Sequence, residues 1–474
     1  MRQTNFALAL VTAAVLAGCG GNGSTGGEQT VKTKFSAQVS FGDSLSDVGS
    51  YGVGTVTALR GGKFNINGDN TAVNPALTGK NWTELLAAQL SLPAPCPALT
   101  GLDGNPAQGF AVPALPHSGC FGYAQGGARV TNPVGPGNKL TGSPLGALTV
   151  PLVTQVQNHL NVSGGKFKGD ELVLVMAGAN DLFMQLAGLS AGATAAGTAA
   201  GAAEGAKVGA ATFASTLVGL LASGATNPAT AAQAIGLAMQ TESARAGSTQ
   251  QSVVGAAVGA AAVQPGNAAI ASPAVYGPIV VKAQDAATAA GTAAGAIVGA
   301  KAGADYAAAN GPTLVTKMAT AGADLVALIK NQIIGKGANY VVLNNLPDVG
   351  TTPFGRSQDA NTVALINAMV KAFNDTLAAG LAAEAKVAYV DAFAASHDQA
   401  TNPAPYGLTN VSVPACDLSP AKNPLASSLV CNANNLIAGD VSHYAFADEV
   451  HPTPFVQLLL ARYVSKYMVQ KGWL

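Results

Sequence analysis

Charge is what this chain has least of. Asp, Glu, Lys and Arg make up 10% of its 474 residues, against about 25% in an ordinary globular domain. Acidic and basic residues balance at 24 each. A nucleic-acid surface needs a clustered positive field to displace counterions, so nucleic acid is excluded as a partner. Aromatic residues are only 5%, which argues against a stacking platform for sugars. The five cysteines include no CxxC pair, and no histidine stands in a chelating pattern beside them. A metal site is therefore not expected, and the chemistry read below needs no cofactor. After the N-terminal segment, no stretch reads as a stop-transfer helix.

Glycine and alanine are in excess, and they concentrate between residues 187 and 310. Gly197, Gly201, Gly205 and Gly209 recur every fourth residue, as do Gly291, Gly295, Gly299 and Gly303. Residues 193–202 and 287–296 are the same ten-residue string. On a helix, positions four apart share a face, so each set forms a ridge that a second helix can approach closely. Glu204, Lys207 and Lys301 interrupt these stretches, which argues against a bilayer span. The expectation is a helical insertion of closely packed soluble helices. A mobile cap that binds an acyl chain is the alternative, with Leu217–Leu221 as its contact.

The N-terminus reads as a targeting segment. Arg2 precedes the apolar run 6–16, too short for a permanent span. Leu16-Ala17-Gly18-Cys19 follows, then a Gly/Ser stretch. This resembles the lipobox of bacterial lipoproteins, which implies a signal peptide over 1–18 and a diacylglycerol on Cys19. Residues 19–34 would be a flexible tether. The protein would be exported and held at a membrane, in the outer membrane or otherwise periplasmic or secreted. Of the remaining cysteines, Cys96–Cys120 and Cys416–Cys431 is the expected pairing, because each bridge closes a short Pro/Gly-rich loop.

From residue 35 to 474 the pattern is that of one α/β domain, interrupted by the 187–310 insertion. Short apolar runs at 37–41, 171–176, 340–343 and 387–390 read as strands. Residues 81–90, 361–383 and 454–470 read as helices. Strands separated by helices imply a parallel sheet, with functional residues gathered at its carboxyl ends.

Ser44 directly follows the first strand, after Gly42-Asp43. A helix beginning there would put Ser44 at its positive end. His451 has Asp448 three residues before it, a spacing that lets a carboxylate reach the imidazole. Asn180 follows the second strand as a candidate oxyanion donor. Gly126 and Gly127, in a small-residue turn, offer a backbone N–H. Asp47 and Arg129 read as supports for these groups. Such a set supplies a nucleophile, a base, an orienting acid and oxyanion donors. Gly188-Leu189-Ser190-Ala191-Gly192 matches the G-x-S-x-G elbow, but no strand precedes it closely enough.

Together Gly42-Asp43-Ser44-Leu45, Gly127, Gly178-Ala179-Asn180-Asp181 and Asp448-Glu449-Val450-His451 resemble the GDSL, or SGNH, hydrolase family, in family order. Asn344-Asn345-Leu346-Pro347-Asp348-Val349-Gly350 is similar to a further family segment. The resemblance implies a three-layer α/β/α fold with a flavodoxin-like parallel sheet. It implies Ser44 as nucleophile, His451 as base and Asp448 as its orienting acid. It implies an oxyanion hole from Ser44, Gly127 and Asn180. Relatives often carry Asn where Gly122 stands, which leaves Gly126 and Gly127 both open. The activity implied is esterase or lipase action on a small-molecule or lipid ester. A phospholipase or acyltransferase on the same triad and a non-catalytic surface lipoprotein are the alternatives. The sequence is silent on oligomeric state.

Overall fold

Short runs rich in Val and Leu put four strands side by side. The computed structural model describes residues 33–68 and 79–474, so Cys19 and the leader lie outside the described residues. The strands are β1 (Gln38–Gly42), β4 (Leu172–Met176), β5 (Tyr340–Asn344) and β6 (Val387–Val390), in the order β1-β4-β5-β6 and all parallel. A separate antiparallel hairpin pairs β2 (Leu99–Asp103) with β3 (Ala111–Pro116). Neither hairpin strand was expected, because each mixes Gly or Pro with exposed residues.

Successive side chains of a strand point to opposite faces. Val39, Phe41, Val173, Val175, Val341 and Leu343 meet α3 (Leu152–Val162), the end of α7 (Pro273–Leu328) and α9 (Ala360–Leu381). Leu172, Leu174, Met176, Val342 and Val390 meet α2 (Trp82–Gln89) and α11 (Pro454–Gln470) on the other face. Both faces are thus covered, as a parallel sheet requires. The free edge of β1 carries a brief parallel pairing. The Ser40 N–H donates to the Phe121 carbonyl at 3.0 Å, and the Tyr123 N–H donates to the Ser40 carbonyl at 2.8 Å. Gly122 lies between them. A Cβ there would stand 2.7 Å from a Val48 methyl and 2.8 Å from the Cys96 carbonyl.

The remaining helices are α1 (Gly54–Ala58), α4 (Ala179–Ala222), α5 (Pro228–Ser243), α6 (Gln250–Ala262), α8 (Pro353–Arg356) and α10 (Ala392–Thr401). The 44 residues of α4 span about 66 Å at 1.5 Å per residue. It pairs with α7 along the glycine ridges. A Cβ on Gly201 would lie 2.7 Å from the Gly295 carbonyl, and one on Gly205 2.9 Å from the Gly291 carbonyl. The contact is backbone against backbone, which only glycine permits. By length and composition alone, both helices could cross a membrane.

Leu182, Leu314, Met318 and Leu325 anchor the base of this hairpin in the sheet's core. Its tip has a separate core of Phe213, Leu217, Leu221, Ile235, Met239 and Ile270. Leu217 and Leu221 are fully buried there. Those two side chains fill the tip core, whereas Val218 between them stays half-buried and lines a cavity between α4 and α7.

Disulfides join Cys96 to Cys120 and Cys416 to Cys431, with Cα–Cα separations of 5.1 and 6.0 Å. Two such bridges fit a protein exported to an oxidising compartment.

Candidate active site

Parallel strands bring their carboxyl ends to one edge, and the polar residues that follow them meet there. Ser44 follows β1, Asn180 follows β4, and Gly127 follows the 121–123 segment on β1's other side. Gly42 must be glycine, since a Cβ would stand 2.4 Å from the Met176 carbonyl. No helix begins at Ser44; α1 starts only at Gly54. Side chains intercept the backbone instead. Asp43 Oδ1 accepts the Leu45 N–H at 3.1 Å, and Asp47 Oδ1 accepts those of Gly49 and Ser50 at 2.8 and 2.7 Å. These Asx-type turns compete with helix formation. The helix dipole is therefore not part of the Ser44 environment.

His451 reaches the site from the loop before α11. Ser44 Oγ lies 2.8 Å from His451 Nε2. His451 Nδ1 lies 2.8 and 2.9 Å from Asp448 Oδ2 and Oδ1. Asp448 is 4% exposed, so burial alone would resist its charge. Coulombic attraction to the His451 ring acts against that, and so do hydrogen bonds from His451, from the Ser428 N–H at 2.7 Å and from the Val450 N–H at 3.0 Å. Together they hold the carboxyl well below its ordinary range. Asp448 is thus an anion fixed in place. Phe64 packs on the imidazole with ring centroids 4.9 Å apart.

Three N–H donors belong to the segments that follow these strands. The N–H groups of Ser44 and Gly127 have no hydrogen-bond partner among the described residues. Asn180 Nδ2 donates to the Ala128 carbonyl at 2.9 Å, which orients the amide and leaves its second N–H. The Gly126 N–H differs, because it donates to Asp47 Oδ2 at 2.9 Å. Gly127 has φ of 78°, and a Cβ would stand 2.2 Å from the Pro136 carbonyl. Arg129 Nε binds Asp181 Oδ1 at 2.9 Å, and Asp181 Oδ2 accepts the Val130 N–H at 2.9 Å. These contacts tie the Gly127 turn to the start of α4.

Asp43, beside the nucleophile, is buried, and Oδ2 has no partner among the described residues. Burial pushes its carboxyl up to about 7. Ser190 lies exposed within α4, remote from any strand end, which removes the elbow context its motif requires.

Two contacts had no sequence signal. Ser428 reaches Asp448 across 20 residues through a backbone N–H. His397 Nδ1 lies 2.7 Å from Asp348 Oδ2, a carboxylate 49 positions away. His443 hydrogen-bonds to Ser442 Oγ at 2.8 Å and stacks edge-on against Phe455.

No protein-family model matches the chain. It is 26% identical over 140 residues to a protein of Arabidopsis thaliana named as a GDSL esterase/lipase, a match covering 27% of this chain and 37% of that protein. The chain thus spans little more than a third of that relative's length. This is distant similarity to an ester hydrolase, on an α/β framework with a four-stranded parallel sheet.

Proposed function

We propose that the protein hydrolyses carboxylic esters through an acyl intermediate on Ser44. The observation that carries this reading is the continuous relay from Ser44 Oγ to His451 Nε2 at 2.8 Å and from His451 Nδ1 to Asp448 at 2.8 Å. In this reading Ser44 Oγ attacks the ester carbonyl carbon while Nε2 takes its proton. Asp448 holds the ring in position and stabilises the imidazolium. The oxyanion accepts hydrogen bonds from the Ser44 and Gly127 N–H groups and from Asn180 Nδ2. Gly127 fits that role better than Gly126, whose N–H is engaged by Asp47. His451 then protonates the departing alcohol, and a water deprotonated by the same nitrogen releases the acid. The chemistry requires neither metal nor organic cofactor.

The SGNH arrangement is part of the same reading, with residues 121–123 standing as a vestigial fifth strand beside β1. So is a lipid anchor on Cys19 that would hold the enzyme at a membrane, near lipid esters. Steady-state hydrolysis of p-nitrophenyl acetate tests the assignment. Ser44→Ala should abolish it and Ser190→Ala should not. Full activity in Ser44→Ala would overturn the reading.

A further inference from the structure

The end of β4 and the segments that follow β5 and β6 border a cavity that the acyl-transfer chemistry leaves unused. Its volume is about 90 Å³. Leu45, the neighbour of Ser44, forms one wall, and Val450 and Pro452, on either side of His451, form another. Met176 at the end of β4, Ala395 of α10 and Val456 of α11 close it. The cavity therefore touches the chain immediately beside both the nucleophile and the base.

Its lining is mainly apolar, with the Gln399 amide and the Tyr463 hydroxyl, which pairs with that of Tyr467 at 3.2 Å, among its polar groups. The single carboxylate in the lining, Asp348, is already bound by His397 at 2.7 Å. The hydroxyls of Thr352 and Ser396 donate to the carbonyls of Val349 and Phe393 at 2.7 and 3.1 Å. Leu45, Val450, Pro452 and Val456 are each left half-buried, with aliphatic surface free to meet a guest. An apolar cavity of about 150 Å³ takes a six-carbon ring, so by proportion 90 Å³ takes roughly four carbons.

We propose that this cavity receives the acyl chain of the ester and limits the enzyme to acyl groups of roughly four carbons or fewer. The inference rests on Ser44 being the nucleophile. The acyl group is favoured over the alcohol because it stays bonded to Ser44 through both chemical steps, next to Leu45, whereas the alcohol leaves after the first.

The test is kcat/KM on the full chain for p-nitrophenyl esters from acetate to decanoate, with a parallel series of acetate esters of longer alcohols. Wild type should fall at least about tenfold between butyrate and octanoate, the scale expected for methylenes that a pocket refuses. Ala395→Leu fills the cavity and should lower the butyrate-to-acetate ratio about tenfold. Val456→Ala enlarges it and should raise the hexanoate-to-butyrate ratio by a similar factor. Opposite shifts in two variants cannot come from partial unfolding. A wild-type profile that stays flat through octanoate overturns the proposal, and so do ratios unchanged in both variants. If the variants alter the alcohol series alone, the cavity belongs to the leaving group and the proposal also fails. In each of these cases Ser44→Ala remains inactive and the esterase reading stands. Full activity in Ser44→Ala would instead overturn the nucleophile and the cavity proposal together.

Discussion

Asn180→Ala isolates one oxyanion donor. Of the three donors, two are backbone N–H groups, and side-chain substitution cannot remove them cleanly. At Gly127 a side chain would collide with the Pro136 carbonyl at 2.2 Å. Asn180 offers a side-chain donor, aimed by its 2.9 Å bond to the Ala128 carbonyl. Losing a donor that acts only on the oxyanion should lower kcat roughly 10²–10³-fold, or about 3 kcal/mol, with little change in KM. The cost to folding is small. One hydrogen bond to Ala128 is lost, worth about 1 kcal/mol. Alanine in the first turn of α4 returns part of that through its better helix propensity. Thermal unfolding should therefore move by only a few degrees. Steady-state kinetics on p-nitrophenyl acetate, with melting curves on the same samples, separate the two effects. A folded Asn180→Ala protein with kcat within about threefold of wild type would refute the assignment.

Three further outcomes follow from particular contacts. His159 is fully buried among Phe41, Phe121, Tyr123 and Phe167, and neither ring nitrogen has a partner among the described residues. Burial holds its pKa down at about 4. The unfolded chain therefore binds a proton near pH 6.5 that the native state refuses, and stability drops by roughly 3 kcal/mol as pH falls from 6.5 to 4. His159→Leu should flatten that slope in melting curves, and an unchanged slope would count against the argument. Cys416–Cys431 closes a loop of 15 residues that contains Ser428, the N–H donor to Asp448. Cys431→Ser should cost about 3 kcal/mol in denaturant unfolding and lower kcat as well. A kcat at the wild-type level would separate the bridge from the catalytic loop. Gly201→Leu places a side chain against the Gly295 carbonyl and should part the α4–α7 hairpin. Proteolysis within residues 190–310 should accelerate while kcat/KM stays within about threefold, because the tip core is independent of the sheet core.

Much of this framework was legible beforehand for simple reasons. β4, β5 and β6 are short apolar runs bounded by polar or glycine residues, and α11 spans Pro454–Gln470 as its Pro and apolar spacing imply. Ser44, Asp448 and His451 stood out as members of ordered blocks, and the structure brings them within hydrogen-bond reach. Where reading failed, the deciding interaction was tertiary. At Ser44 the backbone forms Asx turns and no helix start, and Asp47 also binds the Gly126 N–H of a distant turn. The β2–β3 hairpin is stabilised against Tyr51 and Leu429, not by its own pattern. The pairing of His397 with Asp348 depends on β5 and β6 lying side by side. The glycine ridges implied close helix contact, but composition alone could not say that the hairpin would carry its own core.

The most direct test of the central claim is covalent labelling. A fluorophosphonate ester reacts with a serine only where base and oxyanion donors activate it. Peptide mass spectrometry of the labelled full-length protein should find a single adduct, on Ser44, that disappears in Ser44→Ala and in His451→Ala. An adduct on another serine, with Ser44 unmodified and hydrolysis intact, would contradict the account.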